Sequence, residues 1–242
     1  MGEEKSVPEL VWNRQPYAPR RGLSVERIVE TAIGIADAEG LDALSMRRVA
    51  TDLGSGTTSL YRYVTGRDEL LDLMVDATEG EDVPEPPSGD WRTDMRGIAR
   101  RRRAALLRHP WRGSVMVTRP VLGPNSLRQM DVALTAAGGL TSDITLASDI
   151  IALLADYVFG AVARELAEQQ TQRRTGMTEE QWRAGVAPYI RKVVESGVYP
   201  QFARRIIEAE DHTFEEQFEF GLACLLEGIA GRAGETGDPR NP

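Results

Sequence analysis

The chain has 242 residues, with 29 basic and 37 acidic side chains and a formal net charge of −8. That length holds one large domain or two smaller ones with a sizeable core. The acidic balance excludes a uniformly basic nucleic-acid coat, so any DNA contact must come from a local patch.

In chain order, residues 1–21 carry Pro8, Pro16 and Pro19 with Arg14, Arg20 and Arg21. They predict an extended, basic-ended arm that follows a DNA backbone, enters a minor groove, or makes no contact at all. Its two early acids, with no apolar run behind a basic start, do not read as a secretory signal. From Ser24, a capping residue, the set Val25, Ile28, Val29, Ala32, Ile35 and Ala36 recurs at helical period up to Gly40. Ser45 caps a second helix with Met46, Val49, Ala50 and Leu53 inward, and Gly54 ends it. In a short third helix Leu60 and Val64 face in, leaving Thr57, Thr58, Ser59, Tyr61, Arg62 and Tyr63 to point elsewhere. Thr65 to Asp68 reads as a capping-box-like start for a fourth helix with Leu70, Leu71, Met74 and Val75 inward, ending near Gly80.

The segment 81–90, EDVPEPPSGD, cannot continue a helix and predicts a linker between a domain over 22–80 and another over 91–233. Helices are expected at about 91–108, 111–118, 124–137, 142–172, 179–196 and 213–231. Thr178 with Gln181 and Thr213 with Glu216 mark two of their starts as capping boxes. Residues 234–242 read as a disordered tail. No segment alternates as a strand does, so the fold class is all-α. The most apolar stretch, Ile144 to Val162, is interrupted by Asp149 and Asp156, which reads as too polar for a bilayer span and predicts a soluble, cytoplasmic protein.

The run Ser45 to Asp68 divides its labour as a helix-turn-helix does: one helix packs on a scaffold, and the next presents hydroxyls, tyrosines and arginine outward. Hydroxyls donate to phosphate oxygens, threonine methyls can touch thymine methyls, and arginine reaches phosphate or guanine. Arg47 and Arg67, at the starts of flanking helices, add positive charge beside free backbone N–H groups. The same pattern of two short amphipathic helices and a glycine turn also occurs in ordinary helical bundles.

The stretch Leu23 to Ala77, with ADAEGLDALSMRRVATDLG, then SLYRYV and RDELLDLMVD, resembles the DNA-binding domain of tetracycline-repressor-type (TetR family) transcription regulators. The resemblance fixes together the Gly40-Leu41 step, the small Ala50 and Gly54 at the helix crossing, the Leu-Tyr-x-Tyr of the recognition helix and Arg67. It implies DNA contacts from Arg47, Thr57, Thr58, Ser59, Tyr61, Tyr63 and Arg67. The stretches ALLRHPW through VTRP, Phe159 to Gln170 and FEFGLACLLEGIAG resemble the family's ligand-binding and dimerisation domain. This implies a homodimeric repressor released from an operator in double-stranded DNA by a small-molecule effector. Where tetracycline repressors place a magnesium-binding histidine before Thr118-Arg119-Pro120, this chain has Val115, and the assisting glutamate falls on Arg164. A metal–tetracycline effector is therefore not expected.

Ile144 to Val162 and the final helix are apolar nearly all round and need cover on both sides. Pairing of the two with their copies across a two-fold axis would use Ile151, Ala155, Phe159, Leu222, Leu225 and Ile229; the other reading is a central place in a larger monomeric core. Candidates for lining an effector pocket are His109, Trp111, Met116, Arg119, Met130, Tyr157, Arg164 and Trp182, with Trp91, Ile98, Leu127 and Ala161. Ordinary core or surface packing is the first reading of each of them, ahead of a pocket role. Within the arginine run 100–103, a buried member could meet an anionic ligand. Cys224 excludes an internal disulfide and reads as a buried thiol among leucines. With His109 and His212 it shows no metal-ligand spacing, so neither metal nor cofactor is expected. No phosphate loop, carboxylate pair or nucleophile–histidine arrangement marks an enzyme. A purely structural helical module remains the other alternative.

Overall fold

Ser24 and Ser45 fix the first two helices of the computed structural model. Their hydroxyl oxygens accept from the N–H of Arg27 at 3.4 Å and of Arg48 at 3.2 Å, which satisfies donors that a helix start leaves open. The structure describes residues 11–14, 23–116 and 121–236. Helix α1 (Val25–Glu39) closes on Gly40 at φ 83°. Helix α2 (Met46–Asp52), a turn through Gly54 at φ 61°, and α3 (Thr57–Leu60) form the hairpin, and α4 (Arg67–Glu79) follows. Gly54 holds a left-handed conformation that side-chain-bearing residues resist by about 1–2 kcal/mol. Its turn is closed by Ser55 N–H donating to Ala50 O at 2.9 Å.

The inward residues are those set by helical period. Ile28, Val29, Ala32, Ile35 and Ala36 of α1 meet Val49 and Ala50 of α2, Leu60 and Val64, and Leu70, Leu73 and Met74 of α4 in one core. The ladder beyond α3 continues for another turn, with Val64 N–H donating to Leu60 O at 3.0 Å.

Two local expectations fail here. Helix α4 has no capping box: its N-cap is Gly66, while Thr65 Oγ1 donates to Glu69 Oε2 at 2.5 Å. Glu69 also receives Arg14. Within the expected arm, Val11–Asn13 makes a 3-10 turn rather than an extended segment, and its Val11 and Trp12 lie on the core. Arg20 and Arg21 fall outside the described residues.

The remaining helices are α5 (Trp91–Arg108), α6 (Arg112–Met116), α7 (Pro124–Gly138), α8 (Ile144–Thr175), α9 (Glu179–Glu195), α10 (Pro200–Glu208) and α11 (Phe214–Thr236). Among the described residues the secondary structure is helical, without a strand ladder. The protein is all-α. Helix α10 is an addition to the sequence reading, started by Pro200 at its first turn. Helix α11 runs through the first three residues of the expected tail, to Thr236. Thr178 makes the expected reciprocal capping box with Gln181.

By packing the chain divides into two compact units, Met1–Asp156 and Tyr157–Pro242. In the first unit α4 packs on α1 and on α7. In the second, Tyr157 donates to Phe218 O at 2.7 Å and stacks on its ring at 5.6 Å, beside Gly221. Helix α8 has the length and hydropathy of a membrane span despite Asp149 and Asp156. Yet Ile150, Ile151, Leu154, Val158 and Val162 on one side of it are buried in protein. Cys224 is exposed on α11 rather than buried.

Candidate nucleic-acid interface

The α2–turn–α3 hairpin keeps its apolar residues in and its polar ones out. Leu60 and Val64 are fully buried, while Arg47, Thr58, Tyr61 and Arg62 are exposed and Thr57 and Ser59 half-buried. Tyr61 is half exposed at 50% on the outer side of the turn that follows α3. These groups offer two guanidinium forks, a phenol and three hydroxyls on one short, well-held segment. Arg48 is kept out of that set by Glu39 at 2.8 Å, which binds α1 to α2, and by Asp52 at 3.1 Å on its own helix.

Two of the expected DNA-facing residues do something else. Tyr63 is 6% exposed and belongs to the core, because positions 60, 63 and 64 share the inward face of a helical turn. Arg67 is exposed, but its Nη2 donates to Leu41 O at 3.0 Å and its Nε to Leu44 O at 3.4 Å, so it braces the turn before α2. Arg62, which the family resemblance did not single out, is exposed beside Tyr61.

The far end of α4 is seated by polar contacts. Asp76, 3% exposed, accepts from the N–H groups of Asn125 at 3.0 Å and Ser126 at 2.9 Å, and so caps α7 from another helix. Gly123 is required there, because any Cβ would collide with the Asp76 carboxylate. Gln129 Nε2 donates to Glu79 O at 3.0 Å and Asp82 O at 2.9 Å. The Glu79 carboxylate pairs with Arg112, which is 2% exposed on α6.

A second seat joins α1 to the α5–α6 corner. His109 Nδ1 lies 2.9 Å from Asp37 Oδ1 and its Nε2 3.0 Å from Glu81 Oε2, while Trp111 Nε1 donates to Asp37 at 2.7 Å. His109 and Trp111 are thus buried in this seat, and Trp111 sits in the α1–α4 core. Burial alone would push the Glu81 carboxyl up, but hydrogen bonds from His109 and Arg108 outweigh it and hold it below its ordinary value.

The other pocket candidates scatter. Val115 packs toward the α1–α4 core. Arg119 and the Met116 side chain lie outside the described residues. Met130 and Leu127 are exposed on α7, Tyr157 is held by Phe218, and exposed Arg164 lies over the Phe214 ring at 5.9 Å. Trp182 borders a hollow of about 210 Å³ with Glu168, Thr171 and Met177. Trp91 is buried, Ala161 half-buried, and Ile98 lines two cavities beside α5. Of the expected pairing residues, Ile151, Leu222 and Ile229 are buried inside one protomer and cannot face a second copy; Ala155, Phe159 and Leu225 are half-buried.

Residues 83–233 match the family of tetracyclin repressor-like C-terminal domains. The chain belongs to the TetR family of transcriptional regulators. Among its TetR-family relatives is the HTH-type transcriptional repressor DrrR1 of Streptomyces coeruleorubidus, 44% identical over 97% of this chain and 90% of the relative. An HTH-type transcriptional regulator of Saccharopolyspora erythraea is 32% identical over 95% of each chain. The Streptomyces coelicolor TetR family protein ActR, solved in complex with actinorhodin, superposes with a TM-score of 0.73 at 34% identity, over 90% of this chain and 100% of that one. The role these relatives share is regulation of transcription, not catalysis.

The lowered Glu81 carboxyl gives a pH test. A depressed carboxylate stabilises the fold above its ordinary value of 4.5, and that stabilisation is lost as pH falls through the lowered value. Urea midpoints followed by tryptophan fluorescence should fall from about pH 5 downward, and less steeply in Glu81→Gln than in wild type. Equal slopes would show that the contact adds nothing.

Proposed function

We propose that the protein is a cytoplasmic, homodimeric transcriptional repressor that binds a near-palindromic DNA operator and is released from it by a small molecule. The observation that carries this reading is the α2–turn–α3 segment, which exposes Arg47, Thr58, Tyr61 and Arg62 from a capped and fully packed scaffold. Thr57 and Ser59 at its edge supply further donors to phosphate. The named relatives include repressors, and ActR in complex with actinorhodin supports a ligand-responsive C-terminal half.

A second copy supplies the cover that α8 and α11 lack. Leu153 is 47% exposed on α8 and Phe220 73% on α11, the latter on the same helix as exposed Cys224 and Gly228. On α8 the exposed Leu153 lies one stripe round from buried Ile151, and on α11 the exposed Phe220 lies one stripe round from buried Leu222 and Ile229. A two-fold pair would set two reading heads roughly 34 Å apart, one turn of DNA.

Operator sequences selected from random DNA test the reading head. Arg47→Ala should weaken binding across sequences by about ten-fold and reduce the salt slope by about one; Tyr61→Phe should act in the same direction, and low salt should partly restore both. If both variants bind like wild type, this segment is not the contact surface. For the pair, wild type should sediment at twice the 26.7 kDa chain mass and Phe220→Glu as a monomer; a wild type that runs as a monomer at micromolar concentration removes the dimer.

A further inference from the structure

Between α4, α5, α6 and α7 lies a recess of about 30 Å³ lined by Glu79, Ile98, Arg101, Arg102, Arg112 and Gln129. Its two acids are already engaged. Glu79 holds Arg112, and Asp82 at the rim lies 3.4 Å from Arg108. Arg102, half-buried at the wall of the same recess, makes no hydrogen bond to a carboxylate or carbonyl among the described residues. Burial lowers its pKa; the charge of Glu79 opposes that shift and the neighbouring Arg112 reinforces it. A guanidinium stays protonated under such pressure, so the recess keeps a net positive charge that the protein does not neutralise.

We propose that this recess is the subsite for an anionic group of the effector, with Arg102 holding a carboxylate and Arg112 turning toward it. The proposal rests on the reading of the protein as a ligand-released repressor and names the chemical class of that ligand. The space suits one carboxylate or a small anion. A wider cleft of about 330 Å³, formed by the 85–88 segment, α5 and α7, shares Ile98 and Arg101 with the recess and has room for the rest of a molecule. A planar carboxylate matches the guanidinium fork of Arg102 with two parallel N–H···O bonds. It also competes with Glu79 for Arg112, and Glu79 is the last residue of α4. Ligand binding thereby weakens the α4–α6 contact that seats the reading head.

The test uses the full chain, with sodium benzoate as the probe and benzamide, its uncharged isostere, as control. Benzoate at matched ionic strength should raise the wild-type Tm by about 2–4 °C, and benzamide should not. Arg102→Leu should fold like wild type by circular dichroism and should not respond to benzoate. Arg102→Lys, which keeps charge but loses the fork, should respond with at least about ten-fold weaker affinity. The proposal is overturned by equal responses to the two compounds, by no wild-type response, or by a benzoate response that survives in Arg102→Leu. Operator binding separates the two levels: Arg102→Leu should bind selected DNA like wild type. Absence of DNA binding in every form would instead defeat the repressor reading and leave the thermal result to decide the recess.

Discussion

Helix α4 ends inside the protein, and that places polar groups where each must find a partner, because an unpaired buried charge costs several kcal/mol. Asp76 meets this constraint by capping α7, Glu79 by pairing with Arg112, and the backbone carbonyl of Glu79 by accepting from Gln129. The other end of α4 carries Arg67, which braces the turn before α2. One helix of 13 residues therefore holds the reading hairpin at one end and the helices of the ligand-binding half at the other. Displacement at α6 or α7 must move α4 or break these contacts. A packed helix of this length transmits such a shift with little bending.

Much of this was legible because it is local. Ser24, Ser45 and Thr178 cap helices within three residues of themselves, and Gly40 and Gly54 mark ends that require positive φ. The period of apolar residues gave the core of α1 to α4. Tyr63 turns inward by the same local rule: Leu60, Tyr63 and Val64 stand at i, i+3 and i+4, and its ring joins the core despite the hydroxyl. Helix α10, nine residues long, was too short for a periodic window, although Pro200 marked its start.

The seats of α4 and α1 could not be read, because their partners lie far along the chain. Asp76 meets Asn125 at a separation of 49 residues and His109 meets Asp37 at 72, and no local pattern links such pairs. The available signal was weaker: an acid on the inward stripe of α4 and a histidine in an apolar corner, each needing a partner that only the fold supplies. The all-round apolar character of α8 and α11 shows that both sides need cover but not which stripe is internal, and the stripe of Ile151, Leu222 and Ile229 is buried within the single chain.

Placing reading and sensing on opposite ends of one seated helix makes the seat the control point. The direct measurement is operator affinity of the full chain carrying Asp76→Asn and Glu79→Gln together, with circular dichroism to establish that both forms are folded. The account predicts helical content like wild type and operator affinity reduced at least about ten-fold, since two loosely held heads no longer keep the spacing of one DNA turn. A folded double variant that binds the operator as tightly as wild type would contradict it.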